Sequence, residues 1–262
     1  GVVSSCSYAA RQFGVRSAMP MAKALRLCPS LIVVPGRYSE YSQASRRVMA
    51  YLYRLTDQVE QISVDEAFID ATLLAESAES IGRRLQSQID QDLGLPCSLG
   101  IAANKLVSKI ATDVGKQKAR GPAAPRALTV VPPGQEAAFL APLKVTMLWG
   151  VGPKTAEKLA EINVFTIGDL AQIPETELGR RFGKNGWELA QRARGIDTSP
   201  IVPFHEAKSI SKETTFARDI HDGDRLRAVI IELSKSVAGQ LHKNHLAGAT
   251  VRLKLRWQDF TT

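Results

Sequence analysis

The sequence predicts an α+β protein of more than one domain. Over residues 1–112, amphipathic helical patterns alternate with short strand patterns in the order helix, hairpin, helix, strand. The stretch 195–207, which contains two prolines, precedes a C-terminal part with its own strand, helix and strand patterns. A chain of 262 residues that is 44% hydrophobic can bury a core in two or more domains. We therefore expect helices on one face of a largely antiparallel sheet, whose other face is free to hold substrate.

The N-terminal region predicts two short helices and one buried strand. Residues 2–3 are typical of a strand end, and residues 7–13 of a helix that Gly14 ends. A second helix is expected over Met21–Leu27. The apolar run 31–34 is expected to form a buried strand.

Two long amphipathic helices, over residues 38–55 and 77–92, flank the predicted hairpin. Their inward side chains are expected to be Tyr41, Ala44, Val48, Tyr51, Leu52 and Leu55 in the first helix and Ala78, Ile81, Leu85 and Ile89 in the second. A strand over 97–102 and a helix over 104–114, capped by Asn104, follow. The spacing assigns the aromatic residues of the first helix to the core.

Asp65 and Glu66 indicate where chemistry is to be expected. They lie in the otherwise apolar stretch 63–70, and a charge buried without a partner is strongly unfavourable. Neighbours on a strand point to opposite faces, so these two side chains converge only at a hairpin corner or bulge. Residues 58–62 have a strand pattern and could form the first strand of such a hairpin. Clustered carboxylates without nearby His or Cys suit Mg²⁺ or Mn²⁺ better than zinc. The alternative is an acidic pair on an exposed turn.

Four residues near the N-terminus form a candidate phosphate-binding cluster. Ser4 and Ser5 precede the first predicted helix, and Tyr8 and Arg11 lie one turn apart on its surface. Hydroxyl groups and a guanidinium group together suit a phosphate. The alternative is a capping serine beside an ordinary surface arginine.

Further cations follow the predicted sheet. Lys105 and Lys109 lie four residues apart on the helix 104–114, and residues 116–126 form a basic loop. A run of charge is most often only solvated. Next to an acidic metal centre, however, it would suit a phosphate backbone.

The charge of +8 is unevenly distributed along the chain. Residues 1–60 carry 8 basic and 3 acidic side chains, residues 61–100 carry 2 and 7, and residues 101–160 carry 9 and 3. An acidic centre between basic flanks is what a metal-dependent enzyme acting on a polyanion requires. The alternative is a basic protein with no such substrate.

Residues 148–159 predict a helix-hairpin-helix motif. A turn with two glycines leads directly into a helix with Pro153 at its first position, so backbone N–H groups are exposed at the positive end of that helix. The candidate DNA-binding residues of the motif are Gly150, Gly152, Lys154 and Lys158. Such a motif binds DNA phosphate without reading sequence, and an ordinary turn between helices is the alternative. A short helix over 167–173 and a segment over 183–194 follow.

The part after the linker predicts a small α/β unit. Residues 208–218 are strand-like, 226–241 predict a helix, and 250–257 predict a strand. The inward side chains of the helix are expected to be Leu226, Ile230, Leu233, Val237 and Leu241. In the last strand Val251, Leu253, Leu255 and Trp257 alternate with Arg252, Lys254 and Arg256. The cationic face suits a nucleic-acid backbone, although a solvated outer face would show the same pattern.

Several classes of protein are excluded by composition. No stretch approaches the roughly 18 unbroken apolar residues of a membrane span, and the N-terminus lacks the features of a signal peptide. Three scattered cysteines, Cys6, Cys28 and Cys97, fit a reducing cytosol rather than a disulfide framework or a zinc site. Without an initiator Met and with a strand-like start, the chain is expected to begin in mid-domain, and both ends are expected to be cut.

Several motifs in a fixed order carry a family resemblance. They are residues 1–11, 13–20, 63–68, 100–105, 109–113 and the hairpin 150–159. Together they cover essentially the whole chain and resemble the Y-family DNA polymerases, the translesion enzymes, and closely their DinB or DNA polymerase IV branch. The resemblance implies a right-hand polymerase with partial fingers over 1–37, a ferredoxin-like palm over 38–112, a helical thumb with helix-hairpin-helix over 113–196, a linker over 197–207 and a truncated α/β little-finger domain over 208–262.

The resemblance also implies roles for individual residues. Asp65 and Glu66 would be two of three carboxylates that bind two Mg²⁺ ions, for which Mn²⁺ can substitute. Ser5, Tyr8, Arg11 and Lys105 would hold the triphosphate of the incoming dNTP, and Ser4 would lie near its base. The DNA backbone would be bound by Gly150, Gly152, Lys154, Lys158, Lys208, Arg252, Lys254 and Arg256.

The family pattern is incomplete in this chain. The third carboxylate, an Asp on the first palm strand, and the aromatic steric gate belong upstream of Gly1, and the usual C-terminal clamp-binding peptide does not occur here. The resemblance implies two-metal nucleotidyl transfer to a primer 3′-hydroxyl in error-prone translesion synthesis. It implies a cytoplasmic monomer, near the nucleoid in a bacterium, with primer-template DNA, dNTPs and a sliding clamp as partners. These 262 residues alone are expected to bind DNA and to extend primers poorly or not at all.

The sequence leaves two alternatives open. A DNA-binding protein of polymerase ancestry that lacks the first carboxylate would catalyse nothing. A nucleotide cyclase would share the palm topology, but the hairpin and the cationic last strand disfavour it.

Overall fold

The computed structural model describes residues 1–119, 121, 123–216, 218–257, 259 and 261–262. They divide into two compact units, Gly1–Pro203 and Phe204–Thr262, and the division falls inside the predicted linker 197–207. Within the described residues, no helix has the length and apolar content that crossing a membrane requires.

The two predicted N-terminal helices are confirmed as α1, Tyr8–Gln12, and α2, Met21–Leu27. Ser7 caps α1, because its Oγ accepts a hydrogen bond from the amide of Ala10 at 3.2 Å. The left-handed φ of +85° at Gly14 follows the end of α1. Both helices pack on a small cluster of buried side chains, namely Val3, Ala10, Val15, Ala24 and Cys28.

The predicted buried strand at residues 31–34 is wrong. Ile32 is 86% exposed and Val34 is 78% exposed, and the run has no regular secondary structure. A strand is stabilised by hydrogen bonds to a neighbouring strand, and none of the described strands pairs with these residues. An apolar pattern alone therefore did not produce a strand.

The predicted helix, hairpin and helix are confirmed. Helix α3 spans Tyr38–Tyr53, strands β1 (Val59–Gln61) and β2 (Ala67–Ile69) pair antiparallel, and helix α4 spans Ala78–Leu93. The helices and the hairpin share buried Met49, Leu52, Val59, Ile81 and Leu85. Such a shared core is what the amphipathic patterns predict.

Tyr41 is the exception within α3. It was expected to face inward, but it is 47% exposed and makes an edge-on ring contact with Tyr38, with 5.9 Å between ring centroids. The buried residues of α3 begin only at Ser45, so the first turn of the helix lies outside the core.

The sheet differs from the expected antiparallel one. Strand β3, Leu99–Ile101, confirms the predicted strand but pairs in parallel with β4, Leu128–Val130, which the sequence did not predict. In the described residues β1–β2 and β3–β4 are two separate two-stranded sheets. Helix α5, Lys105–Lys118, follows β3, and Asn104 caps it by accepting a hydrogen bond from the amide of Val107 at 3.0 Å.

Gly100 allows β3 to lie directly against α5. A Cβ atom at this position would overlap the carbonyl oxygen of Ser108 and would lie 2.7 Å from the amide nitrogen of Thr112. Both are backbone atoms of α5, so a side chain at Gly100 would push the helix away from the strand.

The remainder of the first unit is helical. It contains α6 (Glu136–Leu140), a 3₁₀ turn (Val145–Met147), α7 (Pro153–Ala160), α8 (Ile167–Ala171), α9 (Glu175–Phe182) and α10 (Lys184–Ala193). Helix α5 shares their core, because its buried Leu106 and Ile110 belong to the same cluster as Leu148 and Leu159. The helix that bears Lys105 and Lys109 is therefore packed against both β3 and the helical region.

The second unit contains one long helix, α11, over Gly223–Lys243. Asp222 caps it, with Oδ1 accepting a hydrogen bond from the amide of Asp224 at 2.9 Å. This confirms the predicted helix. Of its expected inward side chains, Leu226, Leu233, Val237 and Leu241 are half-buried and Ile230 is exposed.

The predicted C-terminal strands are wrong. Residues 250–257 form no strand, and the side chains meant to face inward are exposed, with Val251 at 97% and Trp257 at 65%. Residues 208–216 and 218 also form no strand, and residue 217 of that predicted strand lies outside the described residues. The reason is again the lack of a partner, since none of the described strands pairs with either segment.

Candidate active site

Asp65 and Glu66 lie at the turn between β1 and β2, as the sequence predicts. The Oγ of Ser63 donates a hydrogen bond to Oδ1 of Asp65 at 2.8 Å and accepts one from the Asp65 amide at 3.2 Å. The amide of Ile62 donates to the carbonyl oxygen of Glu66 at 3.0 Å, which closes the turn. The turn removes the strand alternation that would otherwise separate two adjacent carboxylates.

Both carboxylates line a cavity of about 590 Å³. Strands β2 and β3 also line it, and in the described residues each of these strands pairs with a partner on one side only. Apolar side chains of α3 and α4 contribute Met49, Leu52, Ile81, Leu85 and Ile89. The cavity therefore has an apolar part formed by the two helices and a polar part that includes the carboxylate turn.

The acidic side chains of this cavity fit part of a divalent cation site. Asp65 and Glu66 offer carboxylate oxygens, which Mg²⁺ and Mn²⁺ prefer. Asp70 also lines the cavity, and its pKa is lowered by hydrogen bonds from the side chain and then the backbone amide of Thr72, the latter at 2.8 Å. Among the described residues, however, no group of three or more His, Cys, Asp or Glu side chains could hold a metal ion.

Two lysines of α5 pair with acidic groups near this turn. The Nζ of Lys109 lies 2.8 Å from Oε1 of Glu66. The Nζ of Lys105 lies 2.7 Å from Oε2 of Glu60 and donates to the carbonyl oxygen of Pro200 at 2.7 Å. Lys105, assigned by the resemblance to the triphosphate, is therefore bound within the protein in this structure.

Glu60 is a site residue that sequence reasoning missed. Only 6% of it is exposed, although it is a carboxylate in the middle of β1. The sequence did contain a sign of this, namely a charged side chain inside a short strand pattern. If such a side chain is buried, it requires a partner of opposite charge. The partner, Lys105, is 45 residues away in the chain and could not be identified from local pattern.

The N-terminal cluster borders a second cavity, of about 370 Å³. The guanidinium carbon of Arg11 lies 5.0 Å from the centre of the Tyr8 ring, which confirms that these two side chains are adjacent. The described residues that line the cavity are Tyr8, Arg11, Asp113, Lys116, Gln117, Thr146 and Met147. Ser4 and Ser5 are exposed just before the helix, whose cap is Ser7.

Three of the four predicted triphosphate residues thus border one of two cavities, whereas Ser5 is not among the described residues that line either. Tyr8 and Arg11 line the smaller one and Lys105 the larger, whereas Lys116 and Asp113 line both. Lys116 was expected in a basic loop, but it lies in the last turn of α5. Residues 120 and 122 of that predicted loop lie outside the described residues.

The glycine turn before α7 has the geometry that the motif predicts. Gly150 has a φ of +101°, Gly152 is extended, and Pro153 is the first residue of α7. Lys154 and Lys158 are both exposed. The first turn of α7 therefore presents backbone N–H groups and the Lys154 side chain, and Lys158 is exposed in the last turn.

Trp149 connects this turn to the carboxylate hairpin. Its ring centroid lies 6.4 Å from that of Phe68 in β2, and the residue is 46% exposed. Its carbonyl oxygen accepts a hydrogen bond from Nη1 of Arg192 at 3.2 Å. A turn suited to phosphate is therefore held beside the strand that follows Asp65 and Glu66.

The predicted cations of the second unit are exposed. They are Lys208, Arg252, Lys254 and Arg256. Because residues 250–257 form no strand in this structure, the three cations of that segment do not share the face of a sheet.

Three family models match the chain. Residues 1–113 match the impB/mucB/samB family, residues 146–197 match a domain described as the DNA polymerase-iota thumb domain, and residues 207–262 match the impB/mucB/samB family C-terminal domain.

The chain is also similar to named bacterial proteins. It is 41% identical to the DNA polymerase IV of Lactococcus lactis subsp. cremoris (strain MG1363) over 100% of the chain and 71% of the relative. It is 40% identical to that of Streptococcus pneumoniae serotype 2 over 100% of the chain and 73% of the relative. For the DNA polymerase IV of Desulfatibacillum aliphaticivorans the identity is 41%, over 99% of the chain and 64% of the relative.

Solved structures have the same fold. A crystal structure of DinB from Sulfolobus solfataricus matches with a TM-score of 0.68 and 29% identity, over 77% of this chain and 58% of its own. A Y-family DNA polymerase chimera matches with a TM-score of 0.75 and 27% identity, over 88% of this chain and 66% of its own. An insertion ternary complex of Dbh DNA polymerase matches with a TM-score of 0.65 and 29% identity, over 73% of this chain and 55% of its own.

Proposed function

The chain belongs to the impB/mucB/samB family, whose DNA polymerase IV members are DNA-directed DNA polymerases of the Y-family, and we propose that its carboxylate turn performs translesion DNA synthesis. In this reaction the primer 3′-hydroxyl attacks the α-phosphate of a dNTP and pyrophosphate leaves. The comparisons do not support the inactive alternative, a DNA-binding protein of polymerase ancestry.

One observation carries the proposal. The Phe68–Trp149 contact brings the turn with Asp65 and Glu66 beside the helix-hairpin-helix turn at Gly150 and Gly152. A polymerase requires this proximity, because the primer backbone has to be held while its terminal hydroxyl reacts. In a nucleotide cyclase a DNA-binding turn at this place would have no purpose.

Asp65 and Glu66 would hold the divalent cations, two Mg²⁺ ions for which Mn²⁺ can substitute. When bound, the metal supplies charge neutralisation at the phosphates and lowers the pKa of the attacking hydroxyl. The resemblance implies a third carboxylate beside these two. In the described residues β2 and β3 each pair on one side only, and the cavity of about 590 Å³ that they line has room for a further ligand.

Ser5, Tyr8, Arg11 and Lys105 would bind the triphosphate, with Ser4 near the base. Support for this assignment comes from the Tyr8–Arg11 contact and from the cavity of about 370 Å³ beside it. The Arg11 guanidinium suits a polyphosphate, because it can donate two parallel hydrogen bonds to phosphate oxygens.

Replacing Arg11 by alanine is expected mainly to raise the KM for the dNTP, by about tenfold, because a charge-assisted contact to the triphosphate is lost. Steady-state primer extension by the full-length protein measures this effect. Arg26→Ala is the control, since Arg26 is an exposed arginine of α2 outside both cavities. An unchanged KM and kcat in Arg11→Ala would remove Arg11 from the nucleotide site.

The backbone of primer-template DNA would be held by the amides at Gly150 and Gly152 and by nearby lysines. Further contacts would come from cations of the second unit. The proposed DNA-binding residues outside the glycine turn are Lys154, Lys158, Lys208, Arg252, Lys254 and Arg256. Such contacts to phosphate confer affinity without sequence preference and weaken as salt rises.

Replacing Gly152 by alanine is expected to weaken DNA binding about tenfold without changing stability. A Cβ atom at Gly152 would meet nothing of the protein within 4 Å, and its backbone is extended, so the glycine is not required for folding. A DNA phosphate that approaches the amide closely would require it. Fluorescence anisotropy with a labelled primer-template, at several salt concentrations, measures the effect.

The matched control for Gly152→Ala is Gly134→Ala. It is a glycine in open space outside this motif, although its φ of +83° gives the control a backbone cost of its own. Wild-type DNA affinity in Gly152→Ala, with normal thermal stability, would show that no phosphate approaches this amide.

The proposed partners are primer-template DNA, dNTPs and a sliding clamp, and the protein would act as a cytoplasmic monomer at the nucleoid. The direct test of the function is primer extension by the full-length protein on damaged and undamaged templates. Failure to incorporate any nucleotide at all Mg²⁺ and Mn²⁺ concentrations would contradict it.

A further inference from the structure

A segment of the linker is fastened to the palm. We call residues 195–202 the strap. Four hydrogen bonds join it to the palm. Asn104 Nδ2 donates to the Gly195 carbonyl oxygen (2.8 Å), and the Leu106 amide donates to Asp197 Oδ2 (3.0 Å). Lys105 Nζ donates to the Pro200 carbonyl oxygen (2.7 Å), and the Val202 amide donates to Glu60 Oε2 (2.9 Å). Strap residues 197–201 also line the cavity that contains Asp65 and Glu66.

The four contacts form two groups. The contacts of Asn104 and of the Leu106 amide lie at the N-terminus of α5, where a carboxylate such as that of Asp197 is favoured by the helix dipole. The other two depend on one ion pair, because Oε2 of Glu60 accepts from both the Lys105 ammonium and the Val202 amide. The first group can therefore persist when the second is lost.

The Glu60–Lys105 pair is well shielded from water. The Lys105 side chain is 12% exposed and that of Glu60 is 8% exposed. In this arrangement the ammonium donates to a carboxylate and to a strap carbonyl oxygen, both at 2.7 Å. An ammonium has three donors and two are used here, so a polyphosphate that accepts more than one hydrogen bond from Lys105 has to displace a partner.

We propose that the strap and the dNTP triphosphate compete for the Lys105 ammonium, so that nucleotide binding releases residues 200–202 from the palm. The inference rests on the proposed function, in which Lys105 binds the triphosphate. Release is local, because Asp197 and Gly195 remain attached to the start of α5. By thermodynamic reciprocity, a docked strap lowers the affinity for dNTP by the same factor by which dNTP weakens the docking.

The consequence for the palm is a change in the wall of the catalytic cavity. Pro200 and Ile201 line that cavity together with Asp65 and Glu66. Undocking of these two residues opens the side of the cavity from which the strap approaches. Docking of the strap thus depends on whether a nucleotide is bound.

Hydrogen exchange of the full-length protein tests the competition. The probe is dNTP with Ca²⁺, without primer, so that binding occurs without turnover. The expected result is at least about fivefold faster exchange at the Val202 amide on saturation with dNTP, while the Leu106 amide, bound to Asp197, keeps its protection. The two amides are donors to carboxylates in the same region, so Leu106 is the internal control.

The variant Glu60→Gln separates the two contact groups without changing side-chain size. It is expected to speed exchange at Val202 in the absence of nucleotide and to bind dNTP about fivefold more tightly, because the ammonium has lost its carboxylate. Glu79→Gln is the control, since Glu79 pairs with Arg83 on the exposed face of α4. If Glu60→Gln does not fold, the exchange experiment on the unaltered protein still decides the question.

The outcomes distinguish this inference from the proposed function. If dNTP binds, as measured by calorimetry on the same sample, and Val202 exchange is unchanged, the competition is overturned and the polymerase function stands. If no dNTP binds under any condition that supports DNA binding, the proposed function itself fails.

Discussion

Primer extension by the full-length protein is expected to fall by at least about 10²-fold when Asp65 is replaced by alanine. The variant removes one of two carboxylates that the β1–β2 turn presents to the cavity of about 590 Å³. Without it the metal ions would be weakly bound and misplaced relative to the attacking hydroxyl. DNA affinity should remain close to wild type, because the proposed phosphate contacts lie on the turn before α7 and in the second unit.

The control for this prediction is Asp57→Ala. Asp57 precedes β1 at the opposite end of the same hairpin and does not line the cavity, so its loss should leave extension unchanged. Single-turnover incorporation and anisotropy with labelled primer-template measure the two properties separately. Extension by Asp65→Ala at near wild-type rate would refute the catalytic role of the turn.

Replacing Gly100 by alanine is expected to lower the free energy of unfolding by about 3 kcal/mol. The added Cβ would overlap the Ser108 carbonyl oxygen and crowd the Thr112 amide. Backbone atoms of a helix cannot rotate aside, so α5 would have to move away from β3. Because α5 carries Lys105 and Lys109, the same movement should weaken nucleotide binding.

Gly82→Ala provides the matched control. Its Cβ would meet side-chain ends, those of Leu128, Ile101 and Leu99 at 3.0, 3.2 and 3.6 Å, and alanine favours a helix over glycine by about 1 kcal/mol. The two effects oppose each other, so little net change is expected. Urea denaturation of both variants measures their free energies of unfolding. Equal values would show that β3 and α5 tolerate an extra carbon between them.

The sequence predicted those features that depend on neighbours in the chain. Helices α3, α4 and α11 follow from apolar spacing, and α5 from its Asn104 cap. The carboxylate turn follows from two strand patterns separated by a few residues. The glycine turn before Pro153 was predicted for the same reason, since its conformation depends on the glycine itself. The family motifs lie in these local segments.

Features that depend on distant partners were not predicted. Residues 31–34 and 250–257 have strand patterns, but a pattern does not supply the neighbouring strand that pairing requires. Strand β4 pairs with β3 across 29 residues and was missed. The burial of Glu60 against Lys105 was likewise not visible in either segment alone.

The cavity between β2 and β3 has a consequence for protein engineering. An unpaired strand edge is a template on which an extended peptide can add by backbone hydrogen bonds, and here two such strands border one cavity with an apolar part. A short extended peptide with alternating apolar residues is therefore expected to add to one of these edges. Such a peptide would be a means of blocking or labelling the cavity that Asp65 and Glu66 line.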